Sequence, residues 1–354
     1  MNLVDMGWSP FFESYFSDFL DTALVPARVV EELKGFYRVR SIEGQYLADV
    51  TGKIHYQAED RDDFPAVGDW VALRQPADGA HHARIESILP RRTSLRRKAA
   101  GREFTEQLIA TNLDTVFVVS SLNRDLNERR IERYLALVWE SGARPVVLLN
   151  KADLCDDAAS IRDEIERIAL SAPVHTLSAL TGDGLEAVLP YLSQGHTAAF
   201  AGSSGVGKST IINAILGSAN QRVDRVREHD GRGRHTTTSR QMIFLPGGGI
   251  VIDTPGMREL GLWGSEKGIT EAFDDIGRLS QLCRFRDCTH RGEPECAVET
   301  AIAAGELAGE RLENHRKLQA ELRYQECKAD PRAARGQKEK WKKIHKAMRN
   351  KNRI

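Results

Sequence analysis

Long apolar runs are missing from this chain. None of its 354 residues falls in a stretch of eighteen or more apolar positions, so no membrane-spanning helix is expected. The opening segment, MNLVDMGWSPFFESYFSDFL, has acids and no basic stretch ahead of an apolar one. It does not read as a secretory signal, and the expected compartment is the cytoplasm. Cysteine is scarce as well. There are five, an odd number, and three of them cluster late in the chain, which points to a metal before a disulfide framework. Nor is there a net charge: 50 Lys and Arg balance 50 Asp and Glu. The balance is uneven, because from Arg332 to Ile354 ten basic residues face one Glu. A neutral chain with a basic tail suggests a polyanionic partner contacted locally.

The length suits two or three domains, and no internal repeat is apparent. Residues 34–100 carry short alternating runs at Gly35–Val39, Gln45–Val50, Asp69–Leu73 and Ala83–Ile88, separated by turns such as Glu43-Gly44 and Thr51-Gly52. That spacing predicts a small all-β barrel, with Arg91, Arg92, Arg96, Arg97 and Lys98 at its end. Residues 1–33 stand before it as an extension without a clear assignment. From about Gln107 buried-strand runs alternate with helical patterns: Thr115–Ser120, then Arg129–Trp139, then Pro145–Leu149, then Ala159–Leu170. Thr197–Ala201 and Gly249–Asp253 are further strands, and the alternation predicts an α/β domain over 101–268 with a parallel sheet. Residues 269–354 read as mostly helical around the cysteine cluster, ending in the basic tail.

Gly202-Ser203-Ser204-Gly205-Val206-Gly207-Lys208-Ser209 has the form GxxxxGK[ST] between a strand and a helical run that opens at Thr210. Glycines let backbone N–H groups wrap a phosphate without Cβ clashes, and the helix N-terminus adds partial positive charge. Lys208 would reach the β- and γ-phosphates and Ser209 would ligate Mg²⁺. Asn150-Lys151-Ala152-Asp153 follows a buried strand and matches NKxD. The Asp153 carboxylate can accept from N1–H and the N2 amino group of guanine, a donor pair that adenine lacks, which disfavours an ATP-dependent kinase. Ser178-Ala179-Leu180 suits a loop supporting the base. Asp253-Thr254-Pro255-Gly256 matches DxxG, with Asp253 placed to hold Mg²⁺ through water and the Gly256 N–H to meet the γ-phosphate. Between them, Gly231-Arg232-Gly233-Arg234-His235-Thr236-Thr237-Thr238 has the composition of a loop that orders on a triphosphate. One of its threonines, with Thr237 as the candidate, would complete the Mg²⁺ shell. The motif order is unusual, since NKxD and SAL precede the phosphate loop and DxxG.

Cys283-x4-Cys288-x-His290-x5-Cys296 offers three thiolates and an imidazole within fourteen residues, a donor set for one structural Zn²⁺. Cys155 and Cys327 stand alone.

Together these residues resemble the RsgA (YjeQ/YloQ) family of ribosome-dependent GTPases, from about residue 34 onward. The resemblance implies an OB-type barrel, a circularly permuted P-loop GTPase domain and a C-terminal helical zinc-binding domain. It implies binding of GTP and GDP with Mg²⁺, GTP hydrolysis stimulated by the small ribosomal subunit, contact with rRNA, and action late in that subunit's maturation. A monomer is expected, without membrane contact. Met257 stands where Ras-like proteins place a water-orienting Gln, so low intrinsic turnover is expected. The resemblance supports His235 as the substitute, against an RNA-phosphate contact or a structural role for the same imidazole. A different kind of function, an RNA-binding assembly scaffold using GTP only as a conformational ligand, is the alternative.

Overall fold

The computed structural model describes residues 1–76, 82–98, 106–123, 126–217, 240–253 and 266–329. The barrel begins earlier than residue 34. Its first strand is β1 (Leu24–Glu32), followed by β2 (Tyr37–Arg40), β3 (Gln45–Val50), β4 (Trp70–Arg74) and β5 (His82–Ile88). β1 slips register between Val29 and Glu31. Its first half pairs with β4 and its second half with β2, both antiparallel. β3 runs parallel to β5, and β5 antiparallel to β4, so the sheet closes on itself. A bulge that bends one strand into two partners is the usual device for closing so small a barrel. Ala27, Val29, Val39, Ala48, Val71, Leu73, Ala83 and Ile85 fill the interior, and Ile54 of α2 (Gly52–Gln57) caps it. Pro26 lies within β1 and removes one ladder donor, which hides the strand from a propensity-based expectation.

The first twenty residues are part of the fold. Helix α1 (Pro10–Phe16) brings Phe12 and Phe16 against Trp70, and Trp8 meets Trp70 edge-on with ring centroids 4.7 Å apart. Arg28 is buried beneath them. Its guanidinium donates to the carbonyls of Met6, Gly68 (3.2 Å) and Asn112 (3.3 Å), joining segment, barrel and the next domain. Burial lowers its pKa to about 10.

The arginines at the barrel's end are held within the protein. Arg91 forks onto Asp69 at 2.9 and 2.7 Å, Arg92 pairs with Asp114, Arg96 with Asp62, and Arg97 bonds Gln107. The boundary expected near residue 100 falls between two paired strands, β6 (Ser94–Lys98) and β7 (Glu106–Thr111), which form a separate antiparallel ladder.

Beyond it lie β8 (Thr115–Ser121), β9 (Arg144–Asn150), β10 (Val174–Thr176), β11 (Thr197–Ala201), β12 (Gln241–Phe244) and β13 (Ile250–Asp253). The order β10-β9-β8-β11-β13 is parallel throughout, and β12 adds antiparallel to β13. Alternate residues supply two cores. Val116, Val118, Val147 and Leu149 pack under α3 (Glu128–Ser141) and α4 (Ala158–Ala169), whereas Phe117, Val119, Val146 and Leu148 meet α5 (Lys208–Leu216) on the other face. β12 also pairs with β1 at Gln241 and Glu31, so sheet and barrel form one eleven-stranded ladder.

The C-terminal part holds α6 (Glu266–Ala272), α7 (Asp274–Ser280), α8 (Ala297–Ala303) and α9 (Gly309–Ala329). α6 crosses the boundary expected at 268/269. Phe273, Ile276, Val298, Leu312 and Leu318 make a core that includes Ala136 of α3. A Cβ at Gly268 would stand 2.3 Å from the Ala136 carbonyl, so the absence of a side chain sets the close α6–α3 approach. The basic tail lies outside the described residues. No described helix is long and apolar enough to cross a membrane.

Candidate nucleotide site and metal centre

Within the described residues, each phosphate- or base-directed motif sits at the carboxyl end of a parallel strand. Asn150 closes β9, Ser178 follows β10, Gly202 follows β11 and Asp253 closes β13. Open α/β sheets leave ligand-holding loops at that edge.

Asn150 joins three of these motifs. Its buried amide donates from Nδ2 to the Val206 carbonyl at 2.8 Å and accepts at Oδ1 from the Ala179 N–H at 3.0 Å. The phosphate loop and the SAL segment are thereby fixed to the end of β9. Gly207 makes this possible. It has φ 100°, and a Cβ there would lie 2.2 Å from Asn150 Nδ2. Gly202, with φ 145°, sits against the Val119 carbonyl in the same way. Two of the glycines in the phosphate loop are thus set by neighbouring backbone and amide, in addition to the room they leave for phosphate.

Lys208 is the first residue of α5, and its Nζ donates to the carbonyls of Gly202 and Ser203, both at 2.6 Å. Ser209 and Thr210 share that first turn and are exposed, as are Ser204 and Gly205. Lys151 takes a left-handed conformation, φ 65°, and turns the chain into a short 3-10 turn at Ala152–Leu154. The Ala152 N–H donates to the Leu177 carbonyl at 3.1 Å, and Ser178 Oγ donates to Asp153 Oδ1 at 2.5 Å. Asp153 is otherwise exposed, with a second carboxylate oxygen for a base. His235, Thr237 and Gly256, with Met257, lie outside the described residues.

One contact was not foreseen from the sequence. Arg130, in the first turn of α3, donates to Ser203 Oγ at 2.5 Å. No motif marks it. The only local sign is Asn127, which caps α3 by accepting from the Arg130 N–H at 3.0 Å.

The cysteine cluster forms a compact site between α7 and α8. The donor atoms of Cys283, Cys288, His290 and Cys296 all lie within 4.8 Å of one another. Cys283 Sγ is 4.0 Å from Cys296 Sγ and 3.7 Å from His290 Nδ1, and His290 Nδ1 is 3.4 Å from Cys296 Sγ. A tetrahedron built on Zn–S and Zn–N bonds has edges of about 3.4–3.8 Å, so the donor set fits zinc. Ser280 Oγ donates to the Ile276 carbonyl at 2.7 Å, which leaves it to accept from His290 Nε2 at 3.0 Å. That bond fixes the tautomer with Nδ1 free for a metal. Burial, and then Arg316, hold the His290 pKa down, which favours the neutral imidazole. Cys296 also caps α8, accepting from the Glu299 N–H.

The family model for RsgA GTPases matches residues 88–263. The small ribosomal subunit biogenesis GTPase RsgA of Opitutus terrae is 46% identical over 362 residues, spanning 100% of this chain and 99% of that protein. The crystal structure of YjeQ from Thermotoga maritima superimposes with a TM-score of 0.65 at 30% identity, covering 84% of this chain and 98% of that one. YloQ, described as a circularly permuted GTPase, gives 0.61 at 27% identity, with 84% and 95% covered. By these matches the chain belongs to the RsgA family of GTPases.

Proposed function

We propose that this protein binds GTP across the carboxyl edge of its permuted sheet, hydrolyses it slowly alone, and is accelerated by the small ribosomal subunit at a late step of that subunit's maturation. GTP hydrolysis and small-subunit biogenesis are the work of the family to which it belongs. The observation that carries the nucleotide assignment is Asn150, which bonds the phosphate loop on one side and the SAL segment on the other.

In this proposal Lys208 exchanges its two loop carbonyls for β- and γ-phosphate oxygens. Ser209 and Thr237 would hold Mg²⁺, with Asp253 as a further group toward it, and the metal would supply charge neutralisation for the phosphates. Gly256 N–H meets the γ-phosphate and His235 positions the attacking water. Asp153, steadied by Ser178, accepts from guanine while the Lys151 stem packs on the ring. Phosphoryl transfer needs such positioning and charge neutralisation more than covalent help. Zinc at Cys283, Cys288, His290 and Cys296 would be structural, since four protein donors leave no open position.

The rRNA contact falls to the C-terminal domain more than to the arginines at the barrel's end, of which Arg91, Arg92 and Arg96 are paired with carboxylates and Arg97 with Gln107. A groove of about 880 Å³ beside the cysteine cluster is lined by Arg291, Arg316, Arg323 and His315, with no Asp or Glu among its lining residues. Such a groove suits phosphates.

The test is GTP turnover by the purified protein, with and without small ribosomal subunits, and ATP as control. Slow GTP-only turnover that rises at least about tenfold with the subunit is expected. Turnover indifferent to the subunit would remove the partner, and binding without turnover would leave the scaffold.

A further inference from the structure

Ser203 is the point where two cations meet the phosphate loop. Lys208 Nζ bonds its carbonyl at 2.6 Å, and the Arg130 guanidinium bonds its hydroxyl at 2.5 Å. Lys208 belongs to the loop's own helix. Arg130 comes from α3, seventy-three residues earlier.

α3 is gripped by the C-terminal helical domain along much of its length. Glu132, only 3% exposed, accepts from Arg311 Nη1 at 2.5 Å and from the Asn314 amide. Arg311 is itself fixed by Asp275 at 2.7 and 2.9 Å and by the Ala272 carbonyl at 2.9 Å. Arg133 donates to Glu321 of α9 at 2.8 Å. Near the other end of α3, Glu140 accepts from the Gly268 N–H at 3.1 Å, and Gly268 presses on Ala136. A hydrogen-bonded helix moves as a rod, so a shift of α9 reaches Arg130 within one turn of Glu132 and Arg133.

We propose that Arg130 is a positioning residue for GTP hydrolysis, and that α3 is the element through which the C-terminal helical domain sets it. Arg130 holds Ser203, and with it the backbone N–H groups that face the phosphates. Its charge meets the loop at the same residue as that of Lys208, and would add to it as phosphate charge grows in the transition state. The sequence of couplings is α9 to Glu132 and Arg133, α3 to Arg130, and Arg130 to the phosphate loop. It needs only GTP hydrolysis by this chain, so it stands apart from the identity of the ribosomal partner.

The experiment uses the full-length protein without ribosomes, read as intrinsic kcat and KM for GTP together with thermal unfolding. Arg130→Ala is expected to lower kcat about tenfold with KM changed less than about threefold and Tm unchanged. Arg130→Lys keeps the charge and should recover part of the loss. Glu321→Ala, remote from nucleotide, should lower kcat about threefold, and should add nothing in the Arg130→Ala background. Wild-type kcat in Arg130→Ala overturns the positioning role, as does a loss in kcat and KM that tracks a fallen Tm and is not eased by Lys. Additive effects of the Arg130 and Glu321 substitutions overturn the route through α3. If Arg130→Ala fails to fold, Ser203→Ala tests the same bond, with the same kcat loss expected and wild-type kcat counting against it.

Discussion

Asn150 shows how much of a nucleotide site one amide can organise. Its carbonyl and amino ends face two different loops, and the loop glycine at 207 is small because the amide occupies the space a Cβ would need. The four-residue spacing NKAD was readable because guanine chemistry dictates it, and the glycines because backbone must approach phosphate. Arg130 was not readable, because its partner is chosen by the packing of a helix on a sheet and not by local spacing. At this scale the base-selecting carboxylate gives a sharp expectation. Asp153→Asn should raise the GTP KM at least about a hundredfold and shift preference toward xanthosine triphosphate, measured by competition with XTP and ATP. Unchanged selectivity would mean that another group reads the base.

Among the elements, α3 belongs to two domains at once. One face packs under the parallel sheet, another under α6 and α9, and a buried ion network joins them at Glu132 and Arg311, each with its side chain 4% exposed. Burial raises the Glu132 pKa, and Arg311 and Asn314 counter that as the largest opposing influences. Removing one partner leaves the other charge buried alone. Arg311→Met should therefore destabilise by about 3–5 kcal/mol, seen as a fall in the urea midpoint, and Glu132→Leu in the same chain should recover most of it. Equal midpoints for wild type and Arg311→Met would show that water reaches the site. The helix itself was legible from its apolar periodicity, starting within one residue of the expected Arg129. β1, β12 and the β6–β7 ladder were not. β1 holds Pro26 and charged residues, β12 has only four residues, and β6 carries Arg96, Arg97 and Lys98, so none shows a clean period-2 alternation for period counting to detect.

For the whole molecule, the fold class was legible, as an α/β domain between a barrel and a helical, cysteine-bearing part. The seams were not, because each connects units through shared elements: β1 within the barrel, α6 against α3, and α1 beneath Trp70. The C-terminal core is small, and its loop from Cys283 to Cys296 holds three left-handed residues, His290, Gly292 and Glu295. Metal binding of order 10 kcal/mol is what such a segment needs to stay folded. One zinc per chain is expected by elemental analysis. Cys296→Ala should abolish it and remove a cooperative thermal transition, while GTP affinity stays within about threefold. Full helicity and an unaltered melt after zinc loss would make the metal dispensable.

The continuous eleven-stranded ladder also bears on solubility. At one end β4 folds back onto β1, so that end offers no free row of N–H and C=O groups. At the other, the open edge is β10, three residues long. A sheet this wide would ordinarily invite a second copy to extend it, and edge-to-edge association grows with the length of unpaired backbone. Among the described residues that invitation, at the end of the strand order, is a three-residue strand, Val174–Thr176. Among the described strands of this sheet, a change that lengthens or flattens β10 is the one most able to promote aggregation.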